Sequence, residues 1–173
     1  MAEAILVIDE GTTSTRAMLF APEGTCLGSA SRDLVQHHPR SGWVEHDAAE
    51  IWDVTLRVAQ EAMAAAGARV GAGSAGTEAV EIRGIGITNQ RETVVVWDRA
   101  TGQPVHRAIV WQDRRTTGIC RELKEAGHEE AVRRKTGLVL DPYFSGTKLT
   151  WLFRERPELR ARAEAGELAA GPV

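Results

Sequence analysis

Apolar runs bounded by turn residues organise the first part of the chain. Two such runs, at 5–8 and 17–20, flank a polar, hydroxyl-rich stretch at 9–16. Short apolar runs of this kind predict buried strands, so we expect a strand, a tight turn and a returning strand. Gly11 is suited to a turn that requires a positive φ. Residues 25–35 predict a third, antiparallel strand beside this hairpin.

A helical period follows the strands. Asp47 predicts an N-cap, with Glu50 three positions later, and Gly67 predicts the end of the helix. The predicted apolar stripe of this helix is formed by Ile51, Val54, Leu56, Val58, Ala62 and Met63. A Gly/Ala/Ser run at 71–76 predicts a flexible surface loop, and 82–88 predicts the next strand. A strand–helix–strand unit favours a parallel central sheet, which gives an α/β fold class.

The second half of the chain combines short strands with helices. Strands are expected at 93–97 and 108–111, and helices at 113–127, 129–135, 148–155 and 157–165. Gly137 predicts the end of the second of these helices, and Pro157 stands at the first position of the last one. A loop exposing two aromatic residues is expected at 141–146, and 166–173 predicts the start of another strand.

Composition and charge exclude several functional classes. The chain has 173 residues, enough for one domain with a substantial core, and a net charge of −3. This charge does not favour a nucleic-acid or membrane surface. Cys26 and Cys120 are far apart and predict free thiols rather than a disulfide framework or a zinc site. No secretion signal or long apolar run is apparent, so we expect a cytoplasmic protein.

The turn of the first hairpin carries chemistry suited to phosphate. Backbone N–H groups in a concave turn bind anions, and Asp9 ends the first strand with a carboxylate beside which a hydrated Mg²⁺ could sit. Further donors are the hydroxyls of Thr12, Thr13 and Ser14 and the guanidinium of Arg16. No Gly-Lys-Ser/Thr follows, which argues against a P-loop. An ordinary hairpin with a polar turn is the alternative.

A second set of polar groups suggests a polyol site. Arg91 and Glu92 lie between two predicted strands, where a carboxylate can accept and a guanidinium can donate hydrogen bonds to adjacent hydroxyls. Trp111 could cover the carbon side of a polyol, and Tyr143 could offer its hydroxyl. The alternatives are a surface ion pair, a core tryptophan and a loop anchor. His46 has no nucleophile motif beside it, so we interpret it as structural.

Five stretches of the chain, taken together, resemble the FGGY carbohydrate kinase family. They lie at 9–14, 42–47, 84–93, 108–116 and 136–148, in the order that the family has them. The Asn-Gln-Arg-Glu-Thr and Asp-Pro-Tyr-Phe-Ser motifs resemble those of members that phosphorylate glycerol. The hairpin motif is shared more widely, across the actin, chaperone-ATPase and sugar-kinase superfamily.

The resemblance implies an RNase H-like N-terminal domain with a mixed sheet and flanking helices. It implies a kinase that binds ATP and Mg²⁺ and phosphorylates glycerol to sn-glycerol 3-phosphate in a cleft between two domains. By resemblance, Thr12, Thr13, Ser14 and Arg16 contact the nucleotide phosphates, and Asp9 lies near the metal. Glycerol is expected to contact Arg91, Glu92, Tyr143 and Trp111. Full-length members commonly form homo-oligomers.

The sequence departs from the family pattern in two ways. Glu10 stands where the family usually has Gln, and an added carboxylate should repel ATP slightly unless it faces away or binds metal. Residues 1–173 correspond to only about a third of such a kinase, so we expect a truncated N-terminal domain. The C-terminal domain, with its general-base Asp, would be absent. We therefore expect little kinase activity from this chain alone and exposed apolar surface where the second domain would pack. The alternatives are a non-catalytic fragment that binds glycerol or nucleotide and another FGGY polyol or sugar kinase.

Overall fold

The computed structural model describes residues 2–71 and 80–173, which divide into two compact units. Unit 1 comprises the described residues up to Val35 and from Ala49 to Gln90, and unit 2 comprises Gln36–Ala48 and Arg91–Val173. Apart from Gly71, the loop expected at 71–76 lies outside the described residues. The elements in chain order are β1 (Ala2–Glu10), β2 (Ser14–Phe20), β3 (Cys26–Asp33), β4 (Glu45–His46), α1 (Ala48–Gly71), β5 (Val80–Thr88), β6 (Val94–Asp98), β7 (Ala108–Ile109), α2 (Thr117–Glu125), α3 (Glu129–Thr136), α4 (Ser145–Glu155), α5 (Pro157–Glu164) and β8 (Leu168–Pro172).

Unit 1 is a mixed sheet covered by α1. Its strand order is β3-β2-β1-β5, with antiparallel pairing among the first three strands and parallel pairing between β1 and β5. In the chain, α1 lies between the antiparallel strands β1–β3 and strand β5, as a crossover between the parallel strands β1 and β5 requires. The predicted hairpin, third strand and parallel pair are therefore confirmed, and so is the α/β class.

The core of unit 1 lies between the sheet and α1. Leu6 and Leu19 project from the strands, and Val58 and Ala62 project from the helix. A side chain at Gly28 would clash with the α1 backbone at Ala62 and Ala66, so this glycine permits close packing of helix on strand.

Two details of the predicted α1 are wrong. The helix passes through Gly67 and is helical to Gly71. Leu56 and Met63, placed in the predicted apolar stripe, are exposed, because the buried face follows Ile51, Val58 and Ala62 instead.

β5 leaves apolar side chains in solvent. Ile85 and Ile87 are 62% and 68% exposed, and Ile5 of the neighbouring strand β1 is exposed as well. Among the described strands, β5 stands at the edge of the sheet. An apolar edge strand invites association.

Unit 2 has its own antiparallel sheet, in the order β4-β7-β6-β8. Val96, Leu152, Leu159 and Leu168 form a core between this sheet and the helices α4 and α5. The strand expected at 166–173 is confirmed as β8, which pairs with β6.

The helix boundaries in unit 2 follow the sequence only in part. α3 ends as predicted, with Gly137 in the left-handed region at φ 74°. The prediction for α4 is wrong at its start, because Ser145 and Gly146, expected in a loop, form its first turn.

Neither Cys26 nor Cys120, both within the described residues, forms a disulfide bond. None of the helices in the described part of the chain combines the length and the apolar character needed to cross a membrane.

Candidate functional site

The turn between β1 and β2 is closed by backbone hydrogen bonds. Gly11 N–H donates to the carbonyl of Ser14 at 3.0 Å, and Leu34 N–H donates to the carbonyl of Thr13 at 2.9 Å. Gly11 is not among the described glycines with positive φ. A Cβ at this position would lie 2.7 Å from the Ser14 carbonyl oxygen, so the turn requires glycine for space rather than for a left-handed backbone.

The side chains of this hairpin divide between two faces. Asp9 and Arg16 are directly paired across β1 and β2, so they share one face of the sheet. Asp9 is half-buried and Arg16 is exposed. Along the turn, Thr12 and Ser14 are half-buried and Thr13 is exposed. The predicted phosphate-binding groups therefore remain accessible around one turn of unit 1.

Glu10 faces the opposite way. Its side chain is buried, and its carboxylate accepts hydrogen bonds from the hydroxyls of Thr15 at 2.8 Å and Thr55 at 2.5 Å. Thr55 belongs to α1, so the carboxylate connects the hairpin to the helix beneath it. Glu10 therefore faces away from the Asp9 side of the hairpin, which is the condition under which we expect no direct repulsion of ATP by its carboxylate.

The Gln90 side chain is hydrogen-bonded to the turn of the β1–β2 hairpin. Its Nε2 donates to the carbonyl of Gly11 at 3.0 Å, and its side chain is buried. In the sequence it directly precedes Arg91 and Glu92. The structure assigns it to unit 1 and its two successors to unit 2.

Asp9 meets the modest requirement of a phosphate-bound Mg²⁺. Within residues 2–71 and 80–173, no group of three or more His, Cys, Asp or Glu side chains is placed to hold a metal ion. Mg²⁺ on substrate phosphates usually keeps several waters and takes only one or two protein carboxylates. A half-buried carboxylate at a strand end, with Glu10 turned away from it, fits that role.

In unit 2, Glu92 is bonded at the first turn of α4. Its Oε2 accepts hydrogen bonds from the backbone N–H and the hydroxyl of Ser145, both at 2.8 Å. A carboxylate is favourable at this end of a helix, where N–H groups are unpaired and the helix dipole is positive. Among the described residues, no hydrogen bond to Oε1 is present, so that oxygen can accept one from a ligand.

Two aromatic rings lie in the same part of unit 2. The ring centroids of Trp111 and Tyr143 are 5.7 Å apart, and Tyr143 also contacts Phe144 edge-on at 5.1 Å. The Tyr143 N–H donates to Asp141 Oδ1 at 2.8 Å, which fixes the turn before α4. Tyr143 is 37% exposed and Trp111 is half-buried, so both retain surface that a small ligand can cover.

Arg91 has an unusual backbone conformation. Its φ is 53°, and among the described non-glycine residues it alone has a positive φ. Such conformations are costly for a residue with a side chain and occur often at functional sites. Arg91 is exposed and forms no described ion pair with Glu92, which is bonded to α4 instead.

Sequence reasoning missed Lys148, which is fully buried on α4. Its Nζ donates to the backbone carbonyls of Glu92 and Tyr143, each at 2.6 Å. Burial lowers the pKa of Lys148 to about 8, although Glu92 and Asp113 favour the charged form. The available signal was its spacing, because Lys148 is four positions before the core residue Leu152 and shares its helix face.

The stretch after Trp111 forms a buried ionic cluster. Arg115 bonds Asp113 at 2.8 Å and Glu45 at 2.9 Å, and the side chains of Arg115 and Asp113 are 0% exposed. The guanidinium carbon lies 3.9 Å from the ring centroid of Trp43 and 4.6 Å from that of Trp151. We call these five residues the Arg115 cluster. It joins the segment before α1 to the segment after β7.

His46 is buried, as its interpretation as a structural residue requires. Neither ring nitrogen has a hydrogen-bond partner among the described residues. Desolvation lowers the pKa of His46, and the nearby His37 and His38 lower it further.

The comparisons with known proteins place the chain in a family. The model of the FGGY family of carbohydrate kinases, N-terminal domain, matches residues 4–169. The chain belongs to this family.

Particular relatives are similar over almost the whole chain. The glycerol kinase of Rhodospirillum rubrum is 58% identical over 98% of this chain and 32% of its own length, and that of Methylobacterium nodulans is 54% identical over 100% and 33%. The crystal structure of Plasmodium falciparum glycerol kinase with ADP is 33% identical, with a TM-score of 0.87 over 98% of this chain and 32% of that one. The xylulose kinase of R. rubrum is 28% identical, with a TM-score of 0.81 over the same shares. The chain thus spans about a third of the length of the relatives it matches.

Proposed function

We propose that this chain is the N-terminal part of an ATP-dependent glycerol kinase and supplies its glycerol-binding and phosphate-binding groups. In the proposed reaction, a terminal hydroxyl oxygen of glycerol bonds to the γ-phosphorus of ATP, and the bond from that phosphorus to ADP breaks. The hydroxyl proton passes to a general base, and the products are sn-glycerol 3-phosphate and ADP. We expect this base, an aspartate, in the part of the relatives to which the chain does not align.

The observation that supports the proposal most directly is the hydrogen bonding of the Glu92 carboxylate. One carboxylate oxygen is bonded to Ser145, and the other can accept a hydrogen bond from a glycerol hydroxyl. The Trp111 and Tyr143 rings offer apolar surface to the glycerol carbons, and Arg91 offers donors for its oxygens. A small neutral polyol matches this combination of one open acceptor, one cation and two rings.

The hairpin of unit 1 is proposed to bind the phosphates. Phosphoryl transfer depends on positioning and on neutralising charge, which suits the donors of Thr12, Thr13, Ser14 and Arg16. We propose that Asp9 would hold a hydrated Mg²⁺, which would supply neutralisation of the charge on the phosphate oxygens. Such a kinase would act in the cytoplasm, where ATP is available, and as a homo-oligomer when full-length.

A glycerol titration of the 173-residue chain tests the binding half of the proposal. The Trp111 indole N–H signal in ¹H–¹⁵N NMR spectra should shift and saturate as glycerol is added. Glu92→Gln should raise the dissociation constant by about tenfold, since a hydrogen bond to a charged group contributes roughly 1.5–3 kcal/mol. Glu81→Gln, a carboxylate of unit 1 paired with Arg83 on the surface, is the matched control and should change nothing.

Two outcomes would count against glycerol. A shift that grows linearly without saturating, equally in Glu92→Gln, would mean a solvent effect rather than binding. Saturation by xylulose with tighter affinity than by glycerol would favour the alternative, a sugar kinase of the same family.

Kinase activity of the chain alone is a separate question. Without the general base and a second wall to exclude water, the reactants cannot be aligned. A coupled assay for ADP release should therefore show no glycerol-dependent turnover above background. Robust turnover would show that the chain carries its own base, contrary to the proposal.

A further inference from the structure

Lys148 is a buried cation that the proposed chemistry does not use. It lies in the first half of α4, its side chain has no exposed surface, and its ammonium donates to two backbone carbonyls at 2.6 Å. Burying a charge is costly unless it is paired or hydrogen-bonded. A methionine or leucine would fill the same space without that cost, so the ammonium group itself requires an explanation.

The two carbonyls belong to the residues that carry the proposed polyol site. One is that of Glu92, two residues before β6, and the other is that of Tyr143, two residues before α4. The position of a residue's backbone determines where its side chain lies. A single group bonded to both carbonyls therefore sets the separation between the Glu92 carboxylate and the Tyr143 ring.

Glu92 is held at both ends. Its carbonyl is bonded to Lys148, and its Oε2 is bonded to Ser145 of the same helix. These contacts leave Oε1 as the acceptor that a ligand can reach. Preorganisation of this kind lowers the entropy lost when a ligand binds.

The charges around Lys148 agree with a role at neutral pH. Glu92, Asp113 and Asp141 favour the ammonium form, while burial and Arg115 oppose it, and the pKa of Lys148 is about 8. The neutral amine still has two N–H donors for two carbonyls. Its hydrogen bonds lack charge assistance, however, and are about half as strong.

We propose that Lys148 is a positioning residue of the polyol site, whose ammonium group holds the Glu92 and Tyr143 backbones together so that both side chains face one ligand. The inference rests on the proposed function for the identity of that ligand. The connection that Lys148 makes between the two backbone segments is independent of the proposed function and can be tested without ligand.

The test compares Lys148→Met with Thr147→Val in the 173-residue chain. Methionine keeps the apolar stem and removes the ammonium group. Thr147 is the matched control, since it is the adjacent buried residue of α4 and its hydroxyl bonds Thr116 rather than the site. Glycerol dissociation constants are measured by NMR between pH 6.5 and pH 9.5, and amide hydrogen exchange is measured without glycerol.

The inference predicts three results. Lys148→Met should raise the glycerol dissociation constant by about tenfold at pH 7, whereas Thr147→Val should bind as the wild type does. Wild-type affinity should fall by roughly threefold above pH 8 as charge assistance is lost, and the Lys148→Met profile should be flat. Amide exchange at 92–93 and 143–145 should be faster in Lys148→Met alone.

Different failures have different meanings. Equal glycerol affinity in Lys148→Met and the wild type would overturn the positioning role, and so would an equal loss in Thr147→Val. If the wild-type chain binds no polyol, the proposed function fails. The exchange comparison then decides separately, because unchanged exchange in Lys148→Met would show that the lysine does not hold the two segments together.

Discussion

Replacing Arg115 should destabilise unit 2 far more than replacing Arg114 beside it. The Arg115 side chain is fully buried with Asp113 and Glu45 as partners, whereas the Arg114 side chain is 56% exposed and forms one surface pair with Asp141. The two arginines share sequence context and differ in environment. They therefore form a matched pair for measuring what the Arg115 cluster contributes.

The magnitude follows from the groups left behind. Arg115→Met leaves two nearly buried carboxylates without their cation, and breaking a buried pair costs about 3–5 kcal/mol. Loss of stacking on Trp43 and Trp151 adds about 1 kcal/mol, while burial of the methionine side chain recovers roughly 1–2 kcal/mol. The expected net loss is about 3 kcal/mol. Arg114→Met should cost less than about 0.5 kcal/mol, because exposed ion pairs contribute little.

Urea unfolding followed by tryptophan fluorescence measures this difference. Four of the five tryptophans lie in unit 2, and Trp52→Phe in every variant removes the one in unit 1. With a slope of about 1.5 kcal/mol per molar urea, the midpoint of Arg115→Met should fall by roughly 2 M. A midpoint within about 0.5 M of the parent, or an equal fall in Arg114→Met, would refute the buried-cluster reasoning.

Three further predictions concern single features of the fold. Glu10→Ala should destabilise unit 1 by about 3 kcal/mol because the hydroxyl of Thr15 loses its acceptor, and Glu10→Gln by under about 1 kcal/mol; calorimetry should show this order, and equal losses would contradict it. Burial lowers the pKa of His46, so below pH 6.5 the folded state binds fewer protons than the unfolded state. As the pH is lowered below 6.5, the unfolding free energy of the wild type should therefore fall relative to that of His46→Leu, by at most about 1.4 kcal/mol per pH unit. Parallel pH profiles of the two proteins would argue against this. Ile85→Ser with Ile87→Ser should suppress self-association in sedimentation velocity at high concentration, whereas a monomeric wild-type chain would show that the exposed β5 edge is harmless.

Local patterns were sufficient for much of the fold. The β1–β2 hairpin follows from two apolar runs around a polar turn, and Gly137 ends α3 as a glycine in the left-handed region. The parallel pairing of β1 with β5 follows from the helix between them. In each case the deciding interactions lie within a few residues or follow from simple connection rules.

Long-range contacts explain what local patterns missed. α4 begins at Ser145 because its first N–H is bonded by Glu92, 53 positions earlier, and no local cap marks that start. α1 continues past Gly67 although a glycine inside a helix costs about 1 kcal/mol, and the burial of the adjacent Ala66 against the sheet favours the helix.

In the candidate site, too, some features follow from local sequence and others depend on long-range contacts. The residue types at Arg91, Glu92 and Tyr143 suggested a polyol site from sequence alone. The carbonyl partners of Lys148 could not be predicted, because a lysine in sequence is normally a surface residue. The orientation of Glu10 into the core likewise depends on Thr55, 45 positions away in α1.

The central claim, that this chain supplies the glycerol-binding part of a kinase, is tested most directly by a chimera. The matching third of the Rhodospirillum rubrum glycerol kinase, which is 58% identical, is replaced by this chain, and phosphoryl transfer to glycerol, xylulose and gluconate is measured. We predict glycerol-dependent ADP release that prefers glycerol over xylulose and gluconate and falls at least about tenfold in Glu92→Gln. A folded chimera that prefers xylulose or gluconate, or that leaves glycerol unphosphorylated while the parent kinase is active, would contradict it.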